Sequence, residues 1–516
     1  MSSIKRNPFH DCSGTVLEHR FLNFFYNHTA PFISSYFDCD FWNELIPSVG
    51  RSEPAIRHAM ITVAVVHARL EYAHHLLGTE DSRRFELEQY DKAIRLLRRH
   101  VVANGITVEV TLMCCVLLIC LEFLRGSMAQ AILHLQGGMN IMHSYHATTS
   151  SVPALQVSPS SAHIASKLEI IFCGLRIQWM LCGQASRPTL LDEIALDFAS
   201  LAAETGPPRP FKTFDEARSS LNHVQIHSLR FVQFSAELLY PAVPLSADFD
   251  IEKTLYVTRT QLMTQFDGWF ETFKVFVEDR AKEGMVDISF RNGCTLLKMH
   301  FLTSRIWLYA TIFPHDMAWD DKVDDFAMIV ELASSLTSGP LLPAPKYVAG
   351  NKFSFTFEMG VIAPLYLTAM KCRNRAVRRR AMSLLSSAMP RREGLWDADV
   401  LTYVIGRIVE IEEKALGAHV ASSFDPVIAA ETFMPTNEDR VVDVTIQHKG
   451  EDCLSITYMM RNAERPGWLF IKQDVVSQDG TYKIEKEEVY TRGLEGCREA
   501  AASAFEIGSL FEDCSD

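Results

Sequence analysis

The sequence predicts a mainly α protein, in which a large multi-helical bundle precedes a small antiparallel β meander. Two observations carry this prediction. Over residues 16–416, apolar residues recur mostly at helical spacing and without a fixed repeat length. Beyond about residue 420, they alternate with polar residues or are β-branched and aromatic, which is typical of strands. We therefore expect an N-terminal tail over 1–14, a helical domain over 15–419 and a C-terminal extension over 420–516.

Three neighbouring segments in the N-terminal third predict one buried layer of helices. Residues 110–124 are apolar nearly all round, as in a central helix. The segments on either side each carry one apolar stripe, at steps of three or four residues, that we expect to face a core. The first stripe is Leu87, Tyr90, Ile94, Leu97 and Val101, and the second is Met128, Ile132, Leu135, Met139 and Met142.

Turn residues divide the rest of the chain. Loops rich in Ser, Thr, Pro or Gly are predicted over 148–161, 206–210 and 338–345. Four strands are predicted over 441–446, 453–459, 468–472 and 482–490, and the short segments between them contain Gly or Pro. Because these connections are short, we expect the strands to form a meander.

Charge and cysteine usage limit the function classes. Fifty basic and 63 acidic residues give a net charge of −13, the wrong sign for a body that coats nucleic acid. The 12 cysteines are scattered, several of them in apolar helical segments, which predicts a reducing compartment. The longest apolar run, 110–121, is too short to span a bilayer, and no secretory signal is evident. We expect a soluble protein that contacts nucleic acid only locally or through a partner.

Several segments together resemble one known family. They are 41–47, 53–59, 90–94 and 121–126 with 131–138, followed near the other end by 355–373 and 392–397. In order and spacing they resemble the regulatory region of fungal-specific transcription factors of the zinc-binuclear-cluster class, over residues 17–416. The residues taken as the structural motif are Trp42, Pro54, Arg57, His58, Glu122, Gly126, His134, Gly138, Arg392, Glu393, Gly394 and Trp396.

The resemblance implies a nuclear regulator of transcription with no catalytic residues, cofactor or resident metal. It also implies a protein partner or a homodimer, permits a small-molecule effector, and allows a role in secondary metabolism. The sequence departs from the family in one respect. Such factors carry six cysteines that bind two zinc ions ahead of this region, whereas only Cys12 and Cys39 precede Cys114 here. We expect a factor that lacks its zinc cluster or reaches DNA through a partner.

Residue chemistry assigns the motif positions structural roles. Pro54 suits a first helical turn, Gly126 suits the end of an apolar helix, and Gly138 permits close approach of backbones. Glu122 and His134 are polar groups at the edge of a dense apolar layer. We interpret both as hydrogen-bonding groups that hold the fold.

One acidic motif supports an alternative hypothesis. Asp320, Asp321 and Asp324 match the D-D-x-x-D pattern of helical terpene cyclases and prenyltransferases, whose carboxylates hold magnesium and diphosphate. A second ligand set downstream is missing from the sequence. The structural interpretation is that these acids open a helix, whose N-terminus favours negative charge.

Three further patterns have competing interpretations. Lys371, Arg373, Arg375, Arg378, Arg379 and Arg380 form the one dense basic run, which is either a nuclear import signal or the solvated side of an amphipathic helix. His223 and His227 share a helix face as two zinc ligands would, without a third ligand nearby in sequence. Residues 505–516 mix acidic and apolar residues, as activation segments do.

Overall fold

The computed structural model describes most of the chain, and its described residues form two compact units. Unit 1 comprises those within 1–176, 340–359 and 389–395, and unit 2 those within 177–339, 360–388 and 396–516. The predicted boundary at 419/420 does not coincide with this division, because the C-terminal sheet belongs to the same unit as helices that precede it. The described residues are 9, 12–34, 36–72, 79–104, 107–151, 159–181, 209–239, 251–313, 315–338, 354–388, 391–421, 434–449, 453–463, 467–478 and 481–493.

Unit 1 is helical apart from two short strands. Its first helix begins with a capping box, in which the Thr15 hydroxyl accepts from Glu18 N and the Glu18 carboxylate accepts from Thr15 N. Strands β1, Phe355–Thr356, and β2, Arg392–Glu393, pair in parallel. The helices are α1 Val16–Phe24, α2 Ala30–Ile33, α3 Ile46–Ser52, α4 Pro54–Tyr72, α5 Thr79–Asn104, α6 Val108–Arg125, α7 Met128–Ser151 and α8 Pro159–Leu181, the last of which ends in unit 2.

Helix α6 confirms the predicted central helix. Every residue from Val110 to Leu124 is buried except Cys115, which is half-buried. The helix packs against α4 and α7. It ends at Gly126, whose φ of 75° is a left-handed conformation that a residue with a side chain rarely adopts.

The predicted core stripe of α5 is wrong. Leu87 is 62% exposed, and the other four members of the stripe are half-buried. The buried residues of α5 are instead Ser82, Glu86, Gln89 and Ala93, also at steps of four and three. The reason is that this face meets polar side chains of other helices and is held by hydrogen bonds. Hydrophobic spacing alone selects the wrong face when the buried face is polar.

Unit 2 contains the remaining helices. In its core the Trp269 indole donates to the Ala217 carbonyl over 2.9 Å, and its ring stacks on Phe273 and Phe301. Strand β3 is Trp396–Asp397, and a 3-10 helix spans Asp316–Lys322. The α-helices are α9 Phe214–Leu239, α10 Ile251–Lys282, α11 Ile288–Ala310, α12 Val323–Ser338, α13 Ile362–Lys371, α14 Arg375–Ser387 and α15 Ala398–Ala421.

The C-terminal part of unit 2 confirms the predicted meander. Four antiparallel strands lie in sequence order, so each pairs with its neighbours in the chain. One face of the second strand carries the buried side chains Leu454, Ile456 and Tyr458. Tyr482 of the last strand lies 5.0 Å from Tyr403 of α15, measured between ring centroids. The strands are β4 Val441–His448, β5 Cys453–Arg461, β6 Gly467–Gln478 and β7 Thr481–Gly493.

Some predicted segments lie wholly or partly outside the described residues. Helix α7 extends to Ser151 and α8 starts at Pro159, so both run into the predicted loop 148–161. Of the other two loops, only the ends are described, and the acidic segment 505–516 is not described. A search of the described helices for one both long and apolar enough to cross a membrane found none.

Candidate functional site

Glu18 is the centre of a polar network in unit 1. Its carboxylate accepts from Gln89 Nε2 at 3.0 Å and from Lys92 Nζ at 2.8 Å, in addition to Thr15 N. His58 of α4 joins it through Gln89, with Nδ1 2.6 Å from Oε1. Burial alone would raise the pKa of Glu18, but the hydrogen bonds from Lys92, Thr15 and Gln89 outweigh burial and lower it to about 2. This carboxylate therefore remains charged and ties α1 to α5.

Glu86 is the centre of a second network. It pairs with Arg69 of α4 and with Arg125 of α6, whose Nε lies 2.8 Å from Oε1. Arg125 also binds Glu122 at 2.8 Å, and its guanidinium lies over the Tyr90 ring. Burial raises the pKa of Glu122 despite Arg125. These ion pairs are the polar groups that the buried face of α5 meets.

His134 completes this network at its edge. Its Nε2 lies 3.4 Å from the Tyr90 hydroxyl, and burial with the nearby Arg125 charge lowers its pKa. A general acid or base needs a reacting group within reach, whereas the partners here are other residues of the fold. The structural interpretation of Glu122 and His134 agrees with these contacts.

Arg57 binds backbone carbonyls at the end of α3. Its Nε donates to Gly50 O at 3.0 Å and its Nη2 to Arg51 O at 2.9 Å. Carbonyls at a helix end lack intrahelical partners, so a buried guanidinium satisfies them. Pro54 begins α4 directly after this cap.

The remaining unit 1 motif residues pack or turn the chain. Trp42 is buried edge-on against Phe357, with ring centroids 5.1 Å apart. A Cβ at Gly138 would overlap the Phe172 ring, so glycine allows α7 and α8 to approach closely. Arg392 Nη1 lies 3.4 Å from Phe123 O, within the same unit. The last three positions of the motif are the buried Glu393, Gly394 with φ of 55°, and the buried Trp396, which is in unit 2.

The basic run does not lie on one solvated helix face. The chain leaves helical geometry at 372–374, so Lys371 ends α13, Arg373 lies between the two helices, and the other four residues are in α14. Lys371, Arg373 and Arg378 are buried, which corrects the interpretation of these three as solvated and removes them from an import signal displayed by the folded chain. Arg375 is half-buried, and Arg379 and Arg380 are exposed. An import role for these last three stays a prediction.

The three buried cations belong to an ionic network in unit 2. Asp316 pairs with Lys371 and with Arg373, each at 2.9 Å. Glu412 of α15 pairs with Arg373 at 3.0 Å and with Arg378 at 2.7 Å. Burial alone would raise the pKa of Glu412, but the adjacent guanidinium groups hold it below its ordinary value.

This network attaches the sheet to the helices. Lys371 Nζ donates to Val442 O at 2.6 Å, and Glu412 Oε1 accepts from Val441 N at 3.0 Å. Arg440, whose side chain is fully buried, binds both carboxylate oxygens of Asp320. Sequence reasoning missed Asp316, Glu412 and Arg440. The available signal was a charged residue inside an apolar stripe, as Glu412 is after Leu401, Ile405 and Ile408.

Two carboxylates of the acidic motif are bound by other residues of the fold. Asp320 is bound by Arg440, and Asp321 accepts from the Tyr309 hydroxyl at 2.9 Å. Asp324 and Asp325 lie in the first turn of α12, as the structural interpretation predicts. No cluster of three or more His, Cys, Asp or Glu side chains able to hold a metal occurs among the described residues. His223 and His227 contact each other edge to face, with ring centroids 5.0 Å apart.

Part of the chain matches the model of a known domain. Residues 20–170, which contain the Glu86 network and the Gln89 and Lys92 partners of Glu18, match the model of the fungal-specific transcription factor domain. This part of the chain is thus similar to a fungal-specific transcription factor domain. Eight of the twelve predicted motif residues, from Trp42 to Gly138, lie within the matched range. The predicted resemblance is thus confirmed over the N-terminal part of its range.

A curated relative matches a longer part of the chain than the domain model does. It is the aspercryptin biosynthesis cluster-specific transcription regulator of Emericella nidulans, 22% identical over 447 residues. The match covers 72% of this chain and 70% of that protein. No solved structure matches the chain significantly.

Proposed function

We propose that this protein is a fungal regulator of transcription in which the residues described above form the regulatory body. The observation that carries the proposal is the fungal-specific transcription factor domain over residues 20–170. The relative that matches most of the chain is named as a transcription regulator. The side chains of the internal polar networks bind one another, which agrees with a regulatory body whose polar residues stabilise its fold.

The regulator acts on DNA through a partner chain. The net charge of −13 opposes a broad contact with phosphates. The partner supplies the DNA-reading element, and this chain supplies the response, either to a protein or to a small-molecule effector.

The pathway controlled is one of secondary metabolism, and the site of action is the nucleus. Support comes from the relative, which is named for the aspercryptin biosynthesis cluster. Nuclear entry requires either the exposed basic residues Arg379 and Arg380 or transport with the partner.

Deletion of the gene tests the main proposal. Transcripts of a restricted group of genes should change, and reintroduction of the intact chain should restore them. A fluorescent fusion should accumulate in the nucleus under the conditions in which those transcripts change. Unchanged transcripts in all growth conditions, together with a fusion that stays outside the nucleus, would refute the proposal.

A binding experiment tests the role of the partner. Purified protein alone should not retard promoter fragments of the affected genes at physiological salt, whereas extract from the deletion strain, supplemented with the protein, should. Metal analysis of the purified protein accompanies this experiment. Tight, sequence-specific binding by the protein alone, with two equivalents of zinc, would contradict action through a partner.

A further inference from the structure

Two cations of unit 2 share one aromatic ring and have no ion-pair partner among the described residues. Lys322 Nζ lies 3.9 Å from the centroid of the Tyr309 ring, and Arg259 Cζ lies 5.6 Å from the same centroid. Arg259 also contacts the rings of Tyr256 and Phe313. We call these five residues the cation–aromatic cluster.

The cluster retains capacity to bind an anion. The one hydrogen bond that Arg259 makes within the described chain runs from Nη1 to Tyr309 O, over 3.3 Å. The Asp321 carboxylate accepts from the Tyr309 hydroxyl over 2.9 Å. Two like charges near one ring repel each other, so an anion bound beside either cation lowers the electrostatic energy. Cation–π contacts hold both cations in place for that anion.

Apolar surface lies beside these charges. Tyr256 is 58% exposed, and Phe313 is half-buried. A ligand that fits the whole cluster combines carboxylates with aromatic or aliphatic side chains. This composition describes an acidic peptide better than a free inorganic anion.

The chain itself contains such a segment. Residues 505–516, here called the acidic tail, carry Glu506, Glu512, Asp513 and Asp516 among Phe505, Ile507, Leu510 and Phe511. No lysine or arginine follows Arg498. The tail and the cluster are therefore complementary in both charge and apolar character.

The sheet brings the start of the tail near the cluster. Val441 lies opposite Met460, Met460 opposite Leu469, and Leu469 opposite Thr491, so β7 finishes at the same end of the sheet at which β4 starts, three strands away. Three strand spacings amount to about 14 Å. At that end of the sheet Arg440, just before β4, binds Asp320, two residues before Lys322. The residues 494–504 span at most about 37 Å, which is enough to bridge this separation.

We propose that the cation–aromatic cluster binds the acidic tail of the same chain. Carboxylates of the tail pair with Arg259 and Lys322, and its phenylalanines pack on the rings of Tyr256 and Phe313. Binding keeps the tail from other proteins until a competing acidic segment displaces it. This regulatory meaning rests on the proposed function, whereas the contact itself is measured on purified protein.

Peptide binding tests the proposal. A fluorescein-labelled peptide of residues 499–516 is titrated by anisotropy into the chain truncated after Arg498. We expect saturable binding that the double substitution Arg259→Ala, Lys322→Ala weakens by about tenfold or more, as expected for the loss of two charge pairs and their ring contacts. The matched control is Lys274→Ala on the same helix as Arg259, because Lys274 also lies over a ring, that of Phe270, but is already paired with Glu271. It should leave binding unchanged.

A comparison of the full-length with the truncated chain tests which acidic segment occupies the cluster: the tail of the same chain, the tail of a second copy or a segment of another protein. If the tail occupies the cluster in the same chain, full-length protein should bind the peptide at least about fivefold more weakly than the truncated chain does. Equal affinity of the two chain lengths would overturn the proposal in favour of a partner's acidic segment. Dimerisation that depends on the tail would overturn it in favour of a second copy.

A peptide with amides at the four acidic positions should bind at least about tenfold more weakly, since its side chains no longer pair with the cations. If the double variant does not fold, Lys322→Glu serves instead, because Lys322 is half-buried at the surface. Unchanged affinity in a folded cation variant would overturn the proposal. Such a result would leave transcripts and nuclear accumulation, and so the proposed function, untouched.

Discussion

Arg440 and Asp320 form a bidentate ion pair across 120 residues of sequence, with Nη1–Oδ1 and Nη2–Oδ2 distances of 3.0 and 2.6 Å. The guanidinium is fully buried and also binds the carbonyls of Pro435 and Asp316. A buried guanidinium with so many acceptors keeps its charge compensated. The pair thus joins the residue before β4 to the 3-10 helix.

Loss of this pair should destabilise unit 2. We expect Arg440→Met to lower the free energy of unfolding by about 3 kcal/mol, because it strips three groups of their donor. Chemical denaturation followed by circular dichroism measures the change. The control is Lys449→Met, whose exposed pair with Asp474 should contribute less than about 1 kcal/mol. Equal effects of the two substitutions would contradict a special role for the buried pair.

Because of the same ion pair, we expect magnesium and diphosphate to leave the melting temperature of the protein unchanged. Since Arg440 already neutralises Asp320, the acidic motif should not gain a cation, and the melting temperature should not move on addition of either compound. Asp321→Ala and Asp324→Ala proteins should respond as the parent does. A rise of several degrees in the parent that the substitutions abolish would revive a metal site.

The basic run should divide into two classes on substitution. Arg373→Met removes a partner of both Asp316 and Glu412, so we expect a loss of about 3–5 kcal/mol in the free energy of unfolding. Arg379→Ala removes an exposed charge, and its effect should stay within about 0.5 kcal/mol. Urea midpoints at neutral pH compare the two. A large loss for Arg379→Ala would mean that its side chain has an unrecognised structural role.

Neighbouring glycines of α7 should respond with opposite signs. Gly138→Ala places a methyl group in the Phe172 ring, so we expect a loss of about 1–3 kcal/mol. A Cβ at Gly137 would meet open space, so Gly137→Ala should raise the free energy of unfolding by about 0.5–1 kcal/mol through higher helix propensity. The penalty at Gly138 should shrink in a Phe172→Leu background, as a double-mutant cycle would measure. An undiminished penalty would locate the clash elsewhere.

Because of Glu18, the free energy of unfolding should decrease at acidic pH. Its pKa is about 2 in the folded chain and 4.5 ordinarily, so its stabilisation is complete above pH 4.5 and is lost as the pH falls from there toward 2. At neutral pH Glu18→Gln should cost about 2–3 kcal/mol, and the difference from the parent should vanish toward pH 2. Denaturation at a series of pH values measures it, with the exposed Glu88→Gln as control. A constant difference across the series would contradict this origin.

Local sequence signals predicted the elements well. The all-apolar segment 110–124 is α6, and the alternating segments beyond residue 440 are the strands of the meander. Both follow from interactions between residues near in sequence, namely helical or strand periodicity and turn residues. The end of α6 at Gly126 has the same origin, since only glycine enters the left-handed region without strain.

The polar part of the molecule was predicted less well. Spacing placed Leu87 in the core, whereas α5 buries Glu86 and Gln89. A carboxylate is buried only where cations from other elements compensate it, and these cations are Arg69 and Arg125 here. No periodicity within α5 reports residues on α4 and α6.

By itself the sequence determined the helical class, the meander and the resemblance of residues 20–170 to a known domain, because short-range periodicity and motif order can be read along the chain. Only the tertiary structure decided which charges are buried. Lys371 meets Asp316 across 55 residues, and Arg440 meets Asp320 across 120. The free energy of a charge depends on what the fold places within a few ångströms of it, and that arrangement exists only once remote segments have packed together.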